Sequence, residues 1–326
     1  MRLLPFVVLM SAVIALTAGT ALTLTPDGRP EPLLALFSGN LPPIERELLW
    51  QLRLPRQLLA FTAGALLAAA GGAIQARFKN PLAEPGLIGI SGGAALSAAL
   101  ALQCGLPTPW VPLAAFGGGL AALGLTSLMS RPGTDGDRLI LAGIAVNAIF
   151  GSLLTILIAT LPDGSLRTIT FWLMGSFANA DWPQAERFVI AAPILLWLLF
   201  REWRLLNALQ LGAATAFHLG FDVRRGGARV VLLAALATAL VVSHCGMVGF
   251  VGLMAPHLAR QLVGSHARRL QIAAPLLGGW LALLADWLAH SLIYPAELPV
   301  GVITSLAGAP FFLWLLWQSN RRRRHA

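Results

Sequence analysis

Charge is scarce in this chain. Asp, Glu, Lys and Arg together make up 11% of 326 residues, against about 25% in soluble domains, which excludes an ordinary water-soluble fold. Lysine is almost missing, since Lys79 is the single lysine among 23 basic residues. It stands between Phe78 and Asn80, so the Gly-Lys-Ser/Thr core of a phosphate-binding loop is absent. Any ATP-driven work must therefore come from another subunit. Two cysteines, Cys104 and Cys245, are too few for a disulfide framework or a cysteine metal site. Both read as small buried hydrophobes beside span ends, and no metal site is expected. The net charge of +9 has no soluble basic surface to sit on, so nucleic-acid binding is excluded as well.

Apolar residues are abundant, at 57%. A bilayer crossing needs roughly 20 apolar residues, and about ten runs approach that length. They lie near 3–22, 57–76, 88–103, 109–130, 139–161, 187–200, 230–245, 247–263, 271–291 and 299–317. The expected fold is an all-α polytopic membrane protein, one membrane domain over residues 1–326. The first run resembles a signal peptide in composition, but it is long enough to span and reads as an uncleaved first helix. The eighth is short and interrupted by Pro256. Gly117-Gly-Gly-Leu in the fourth permits close helix approach.

The polar segments set the topology. Residues 23–50 hold five prolines and read as a loop with short helical pieces. Residues 162–186 form a second loop with an amphipathic piece, Ile169 to Phe177, and with Trp172 and Trp182 placed for an interfacial belt. The stretch 201–229 carries two short helical pieces, Leu206 to Phe221, broken near Gly212 and Gly220. That is more than a simple connection needs, and it offers a docking surface for a soluble partner. With ten spans both termini share a side. That side then holds 17 of the 23 basic residues, including Arg201, Arg204, Arg268 and Arg321 to Arg324. The positive-inside bias makes it the cytoplasmic one.

Three local patterns bear on chemistry. Asn80-Pro-Leu-Ala-Glu-Pro-Gly-Leu-Ile-Gly-Ile-Ser-Gly-Gly93 cannot continue a helix. It is either a loop at the cytoplasmic surface or a structured turn near a path through the membrane. Gly89-Ile-Ser-Gly-Gly93 matches the Gly-x-Ser-x-Gly of serine hydrolases, and an intramembrane serine protease would need His244, His257 or His290 beside Ser91. A glycine-rich helix start accounts for the same letters, and no catalytic residue is expected. Asp286, with His290 one turn on, is the one mid-span carboxylate an ion-coupled carrier would use; a locally satisfied pair explains it too. Arg53 and Arg56 sit on the outer side against the charge bias. They read as local partners of Glu45 or Glu47, or as a steering pair for an acidic protein.

The ordered set Arg53-Leu-Pro-Arg56, Asn80 to Gly86, Gly89-Ile-Ser-Gly-Gly-Ala, Leu141-Ala-Gly-Ile-Ala, Phe250 to Arg260, Ala285-Asp286, Glu297-Leu-Pro-Val-Gly and Gly308-Ala-Pro-Phe resembles the FecCD-type permeases of ABC importers. Within that family it is most similar to the vitamin B12 (cobalamin) permeases. The resemblance implies a homodimer in the bacterial inner membrane, multi-pass, with both termini cytoplasmic. It also implies two cytoplasmic ABC ATPase subunits that carry ATP and Mg, and a periplasmic substrate-binding protein; this chain would hold no cofactor. Arg53, Arg56 and His290 would dock the binding protein, with His290 where the family usually has Arg. Asn80, Leu82, Gly136 and Asp137 would form the cytoplasmic gate, although Asp135 and Asp137 replace small hydroxyl residues there. Leu206, Leu209, Leu211, Gly212, Ala213, Leu219, Gly220 and Phe221 would couple to the ATPase. Trp172 and Gly175 would border the outer gate. Iron–siderophores and haem are the other cargoes the family implies.

Overall fold

The computed structural model describes residues 3–23, 42–130, 136–293 and 295–324. Thirteen helices follow in order among them. They are α1 (Leu3–Thr23), α2 (Pro43–Phe78), α3 (Ile90–Gln103), α4 (Val111–Met129), α5 (Gly136–Ala159), α6 (Asp163–Met174) and α7 (Trp182–Arg201). Then come α8 (Trp203–Leu211), α9 (Ala213–His218), α10 (Val223–Cys245), α11 (Val251–Val263), α12 (Ala267–Ser291) and α13 (Val300–Arg324). Seven of them, α1, α2, α4, α5, α7, α10 and α12, are long and apolar enough to cross a bilayer. α3 and the Val300–Leu315 part of α13 are shorter apolar helices, and α11 has 13 residues.

α2 is the hub. It packs against α12, α10, α11 and α7, and 78% of its most apolar window is buried. Its alanines and glycines explain how. A methyl group on Gly64 would lie 2.2 Å from the Gly278 carbonyl oxygen, and one on Gly71 would lie 1.8 Å from that of Gly252. Helices that cannot use water to drive association gain from such backbone-to-backbone packing. α3 meets α4 the same way, Gly93 against Gly118. Of the predicted small patch on α4, Gly118 and Gly119 make close contacts, while Gly117 has nothing within 4 Å. α1 and α5 present mostly exposed apolar surface, each with 11% of its window buried.

Several boundaries differ from the sequence expectation. The second span begins fourteen residues early, because Pro43–Phe78 is one helix with a π turn at Leu49–Arg53. Pro43 opens this helix and needs no amide donor there, whereas Pro55 lies inside it, just after the π turn. The sixth span begins at Trp182, where the Asp181 side chain accepts the Gln184 amide and caps it. α11 runs through Pro256 without a break. Cys245 is buried as expected, but Cys104 is exposed. Asp135 and most of loop 23–50 lie outside the described residues. Gly136 and Asp137 open α5, and their side chains also lie outside the description.

Candidate functional site

The stretch Asn80–Gly93 does not lie flat on a surface, the first of the two expectations for it. Ala83 and Ile88 are 2% and 1% exposed. Lys79 ends α2 in the left-handed region, φ 52°, and turns the chain back. The Asn80 side-chain oxygen then accepts the Leu82 amide at 2.9 Å, and Asn80 N–H donates to the Gln75 carbonyl at 3.1 Å. A 3₁₀ turn, Pro85–Ile88, leads into α3. Gly143 of α5 packs against the backbone of Leu87 and Ile88. The segment is thus a turn folded in among the spans, which keeps its irregular backbone away from lipid.

Two side chains from other elements hold it there. Asn147 on α5 donates through Nδ2 to the Gly86 carbonyl at 2.9 Å and accepts the Gly92 amide at Oδ1, 3.0 Å. Glu84 reaches the other way, and its Oε1 accepts the Phe250 amide at 3.0 Å. Phe250, at φ 65°, opens α11, so a carboxylate satisfies an otherwise unpaired donor at that helix start. Arg260 on α11 donates to the Gln75 side chain, which in turn faces the Gly252 and Leu253 carbonyls at 3.4 Å. Between these parts lies a cavity of about 240 Å³ lined by Leu67, Glu84, Ser91, Asn147, Thr238 and Met247, among others. Its polar groups are few and neutral apart from Glu84.

Arg53 and Arg56 lie at the start of α2. Glu45 and Glu47 are not the carboxylates that hold Arg56. Its Nε and Nη2 fork onto Asp286 at 2.8 and 2.9 Å, and its Nη1 donates to Glu297 Oε1 at 3.1 Å. Arg53 Nη1 donates to the Leu22 carbonyl at 2.6 Å. The Asp286–His290 pair expected from their spacing is made by a different atom. His290 Nδ1 lies 2.8 Å from the Asp286 carbonyl, while the carboxylate goes to Arg56. An ion-coupled carrier would need a free carboxylate, and this one is taken. Nearby, Trp182 Nε1 donates to the Trp50 carbonyl at 2.7 Å, and the two rings stack at 6.3 Å.

Trp172 and Gly175 end α6 in a knot of backbone contacts. Ser176 N–H donates to the Cys245 carbonyl at 2.9 Å. A methyl on Gly175 would lie 2.6 Å from the Met247 oxygen, and one on Gly246 would lie 2.0 Å from the Trp172 oxygen. Gly301 of α13 closes on Met174 and Met247 in the same way. Each of the histidines offered to Ser91 is bonded within its own helix instead: His244 to the Leu240 carbonyl, His257 to Gln261, and His290 as above. His244 Nδ1 also lies 3.0 Å from the hydroxyl of its neighbour Ser243, and among the described residues none of the three is paired with Ser91.

The opposite end of α2 meets the predicted coupling pieces. α8 and α9 are separate helices, broken at Gly212 (φ 124°), with Gly220 (φ 88°) following α9. Leu206 and Leu209 are 0% and 2% exposed and anchor α8 in the bundle, while Leu211, Phe217 and Leu219 are 69%, 68% and 59% exposed. Phe217, inside the predicted stretch, was not singled out from the sequence; its outward direction follows only from how α9 sits. Asn207 accepts the Ala267 amide at 2.7 Å, and Gln210 donates to the Ser265 carbonyl at 3.2 Å. Glu202 pairs with Arg229 at 2.7 Å. α8 is therefore tied to the start of α12 and to α10. Leu205, Leu206 and Leu209 of α8 share one buried cluster with Ala69, Ala73 and Ala76 of α2, so α8 seats on the end of α2.

The FecCD transport family model matches residues 4–318. The hemin transport system permease protein HmuU of Yersinia pestis is 42% identical over 284 residues, covering 83% of this chain and 84% of its own. The vitamin B12 import system permease protein BtuC of Vibrio cholerae is 37% identical over 281 residues, 85% of each. A solved metal-chelate type ABC transporter in an inward-facing conformation superposes with a TM-score of 0.86 at 32% identity, over 95% of this chain and 97% of that one. The ordered motifs of the sequence, the inward-folded turn and these matches agree: the chain belongs to the FecCD transport family and is a multi-pass membrane permease of the ABC importer type.

Proposed function

We propose that this permease works as a homodimer in the bacterial inner membrane and moves a metal–tetrapyrrole chelate, with cobalamin as cargo. Two cytoplasmic ABC ATPases would supply ATP and Mg chemistry, and a periplasmic binding protein would deliver the cargo. Haem is the second reading, because the haem relative is as similar to the chain as the vitamin B12 relatives are.

The observation that carries the reading is the packing of α8 on the end of α2, Leu206 and Leu209 against Ala69, Ala73 and Ala76. Lys79 is the residue that turns α2 into the Asn80–Gly93 segment. A push on α8 and α9 by a nucleotide-closing partner is thereby passed to the turn at the cavity wall. Asn80 and Leu82, the gate residues of this reading, lie one and three positions beyond Lys79. Gly136 and Asp137, at the start of α5, belong to the same element as Asn147. ATP-driven closure would shift the balance between outward- and inward-open states in this way. With cytoplasmic termini, α8 and α9 would lie on the ATPase side, Arg53, Arg56 and His290 on the binding-protein side, and Trp172 and Gly175 at the outer gate.

The cavity also speaks to the dimer. Pockets for drug-sized ligands occupy about 300–1,000 Å³, and the cavity inside one subunit holds about 240 Å³. That volume lies below the range, in keeping with a cargo path that would run between two copies. A wall with few fixed charges binds cargo weakly and lets it leave, which leaves selection to the binding protein. The test is ATP-dependent uptake into vesicles holding the reconstituted complex, comparing labelled cyanocobalamin, haem and a ferric siderophore. Cobalamin uptake that neither competitor suppresses is expected. Haem uptake alone moves the assignment to the second reading. Uptake of cargo by the permease without an ATPase overturns the mechanism.

A further inference from the structure

Arginines without matching acids gather where α7, α8 and α12 meet. Arg201 lies over the Trp197 ring, 4.8 Å from its centroid. Arg204 of α8 and Arg268 of α12 both lie over the Trp203 ring, at 5.3 and 5.9 Å, and the His266 ring stands 5.7 Å away. All three arginines are exposed, and among the described residues none of them is in an ion pair. The neighbouring carboxylate, Glu202, is 9% exposed and committed to Arg229. Two guanidinium groups thus lie 5.3 and 5.9 Å from one ring centre with no acid paired to them among the described residues, and an anion there would offset their like charge.

The surroundings say which anion. Trp197 is 55% exposed, and Ile190 and Ile194 on the same helix are 66% and 54% exposed. The patch therefore continues directly into an apolar span surface. This is the level at which Trp and Arg meet lipid headgroups. A phospholipid headgroup at the arginines would leave its chains beside the Ile190–Ile194 face.

We infer that Arg204, Arg268 and Trp203 form a binding site for the phosphate of an anionic phospholipid, with Arg201 on Trp197 as its outer wall. Each guanidinium offers paired N–H donors to phosphate oxygens, and the ring holds both in place. The acyl chains lie along Ile190 and Ile194. The site spans a joint that Asn207 and Gln210 already tie, between α8 and the 265–267 turn. A phosphate bridging Arg204 and Arg268 stiffens that joint, and so sets how firmly α8 moves with α12.

The test titrates full-length purified permease with phosphatidylglycerol and counts bound lipid by native mass spectrometry. Each arginine near an anionic lipid contributes roughly five-fold in affinity, so R204Q/R268Q is expected to bind the first lipid about twenty-fold more weakly. R224Q/R225Q removes the same number of exposed arginines from the start of α10 and is expected to stay within about two-fold of the parent. R204K/R268K keeps the charge and loses the fork, and is expected to weaken binding about three-fold; it serves also if the glutamine pair fails to fold. Equal losses in R204Q/R268Q and R224Q/R225Q, or none in any variant, overturn the site. Phosphatidylcholine binding as tightly as phosphatidylglycerol overturns the anion. Unchanged lipid binding in R204Q/R268Q with loss of ATPase co-purification would make the patch a protein interface and overturn it too.

Discussion

Arg56 grips Asp286 from 230 positions away in sequence, with Nε 2.8 Å from Oδ2 and Nη2 2.9 Å from Oδ1. The pair ties α2 to α12, and its side chains are 16% and 5% exposed. Removing Arg56 leaves the buried Asp286 without its partner and costs roughly 3–5 kcal/mol; removing Asp286 leaves Arg56 only the exposed Glu297. Asp286→Ala and Arg56→Ala are each expected to lower the thermal unfolding midpoint strongly in detergent. The double variant is expected to lose less than the sum of the two, because neither orphan charge remains. Additive losses would show that the two groups do not act as a pair.

Glu297 sits on the same guanidinium but differs in exposure, at 48%. Its loss is expected to change stability by no more than about 1 kcal/mol. Under the docking assignment it also occupies the Nη1 edge that an incoming acid would use. Glu297→Gln is therefore expected to tighten association with the binding protein, about three-fold, while Arg56→Ala weakens it. Surface plasmon resonance at low and high salt reads both. Weaker binding by Glu297→Gln would mean that Glu297 itself contacts the partner.

Helix approach gives a prediction with an internal control. A methyl on Gly71 would stand 1.8 Å from the Gly252 carbonyl oxygen, which is backbone and cannot swing aside; one on Gly117 meets nothing within 4 Å. Gly71→Ala is expected to abolish folded material on size-exclusion chromatography. Gly117→Ala is expected to be neutral or to gain up to about 1 kcal/mol from helix propensity. Monodisperse Gly71→Ala protein with a normal melting curve would contradict the packing of α2 on α11.

Composition and hydropathy made the all-helical membrane fold legible, because a bilayer leaves a chain few alternatives. The breaks at Gly212 and Gly220 were legible for a local reason: glycine alone takes those φ values without strain. What stayed hidden were partnerships between distant elements. Asp286 was read against His290 because spacing within a helix is visible in sequence, whereas a contact with Arg56 is not. The start of α2 was misplaced because Pro43 was counted with the proline-rich loop, and proline is tolerated at a helical start. Asn147 was overlooked, although a lone amide in an apolar span is the kind of residue that must have a partner. The vitamin B12 and haem relatives divide on cargo, and no residue in this chain that touches cargo was legible to decide between them.

α8 and α9 separate anchoring from contact, which is where the coupling assignment is most exposed to test. Leu206 is fully buried, and Leu206→Ala is expected to cost roughly 2–5 kcal/mol. Its loss of transport should follow its loss of folded protein. Phe217 and Leu211 face outward at 68% and 69% exposure, so truncating them removes almost no internal packing. Phe217→Ala is expected to leave the melting curve of the permease alone within about 0.5 kcal/mol. It should still cut ATPase co-purification at least ten-fold, since exposed aromatics at the centre of an interface carry about 2 kcal/mol or more. Both quantities come from one preparation, a fluorescence melt of the purified permease and a pull-down of the ATPase. Parent-level pull-down by Phe217→Ala together with Leu211→Ala would show that the ATPase does not seat on this face. The route from α8 through the end of α2 to Asn80 would then have no source of motion.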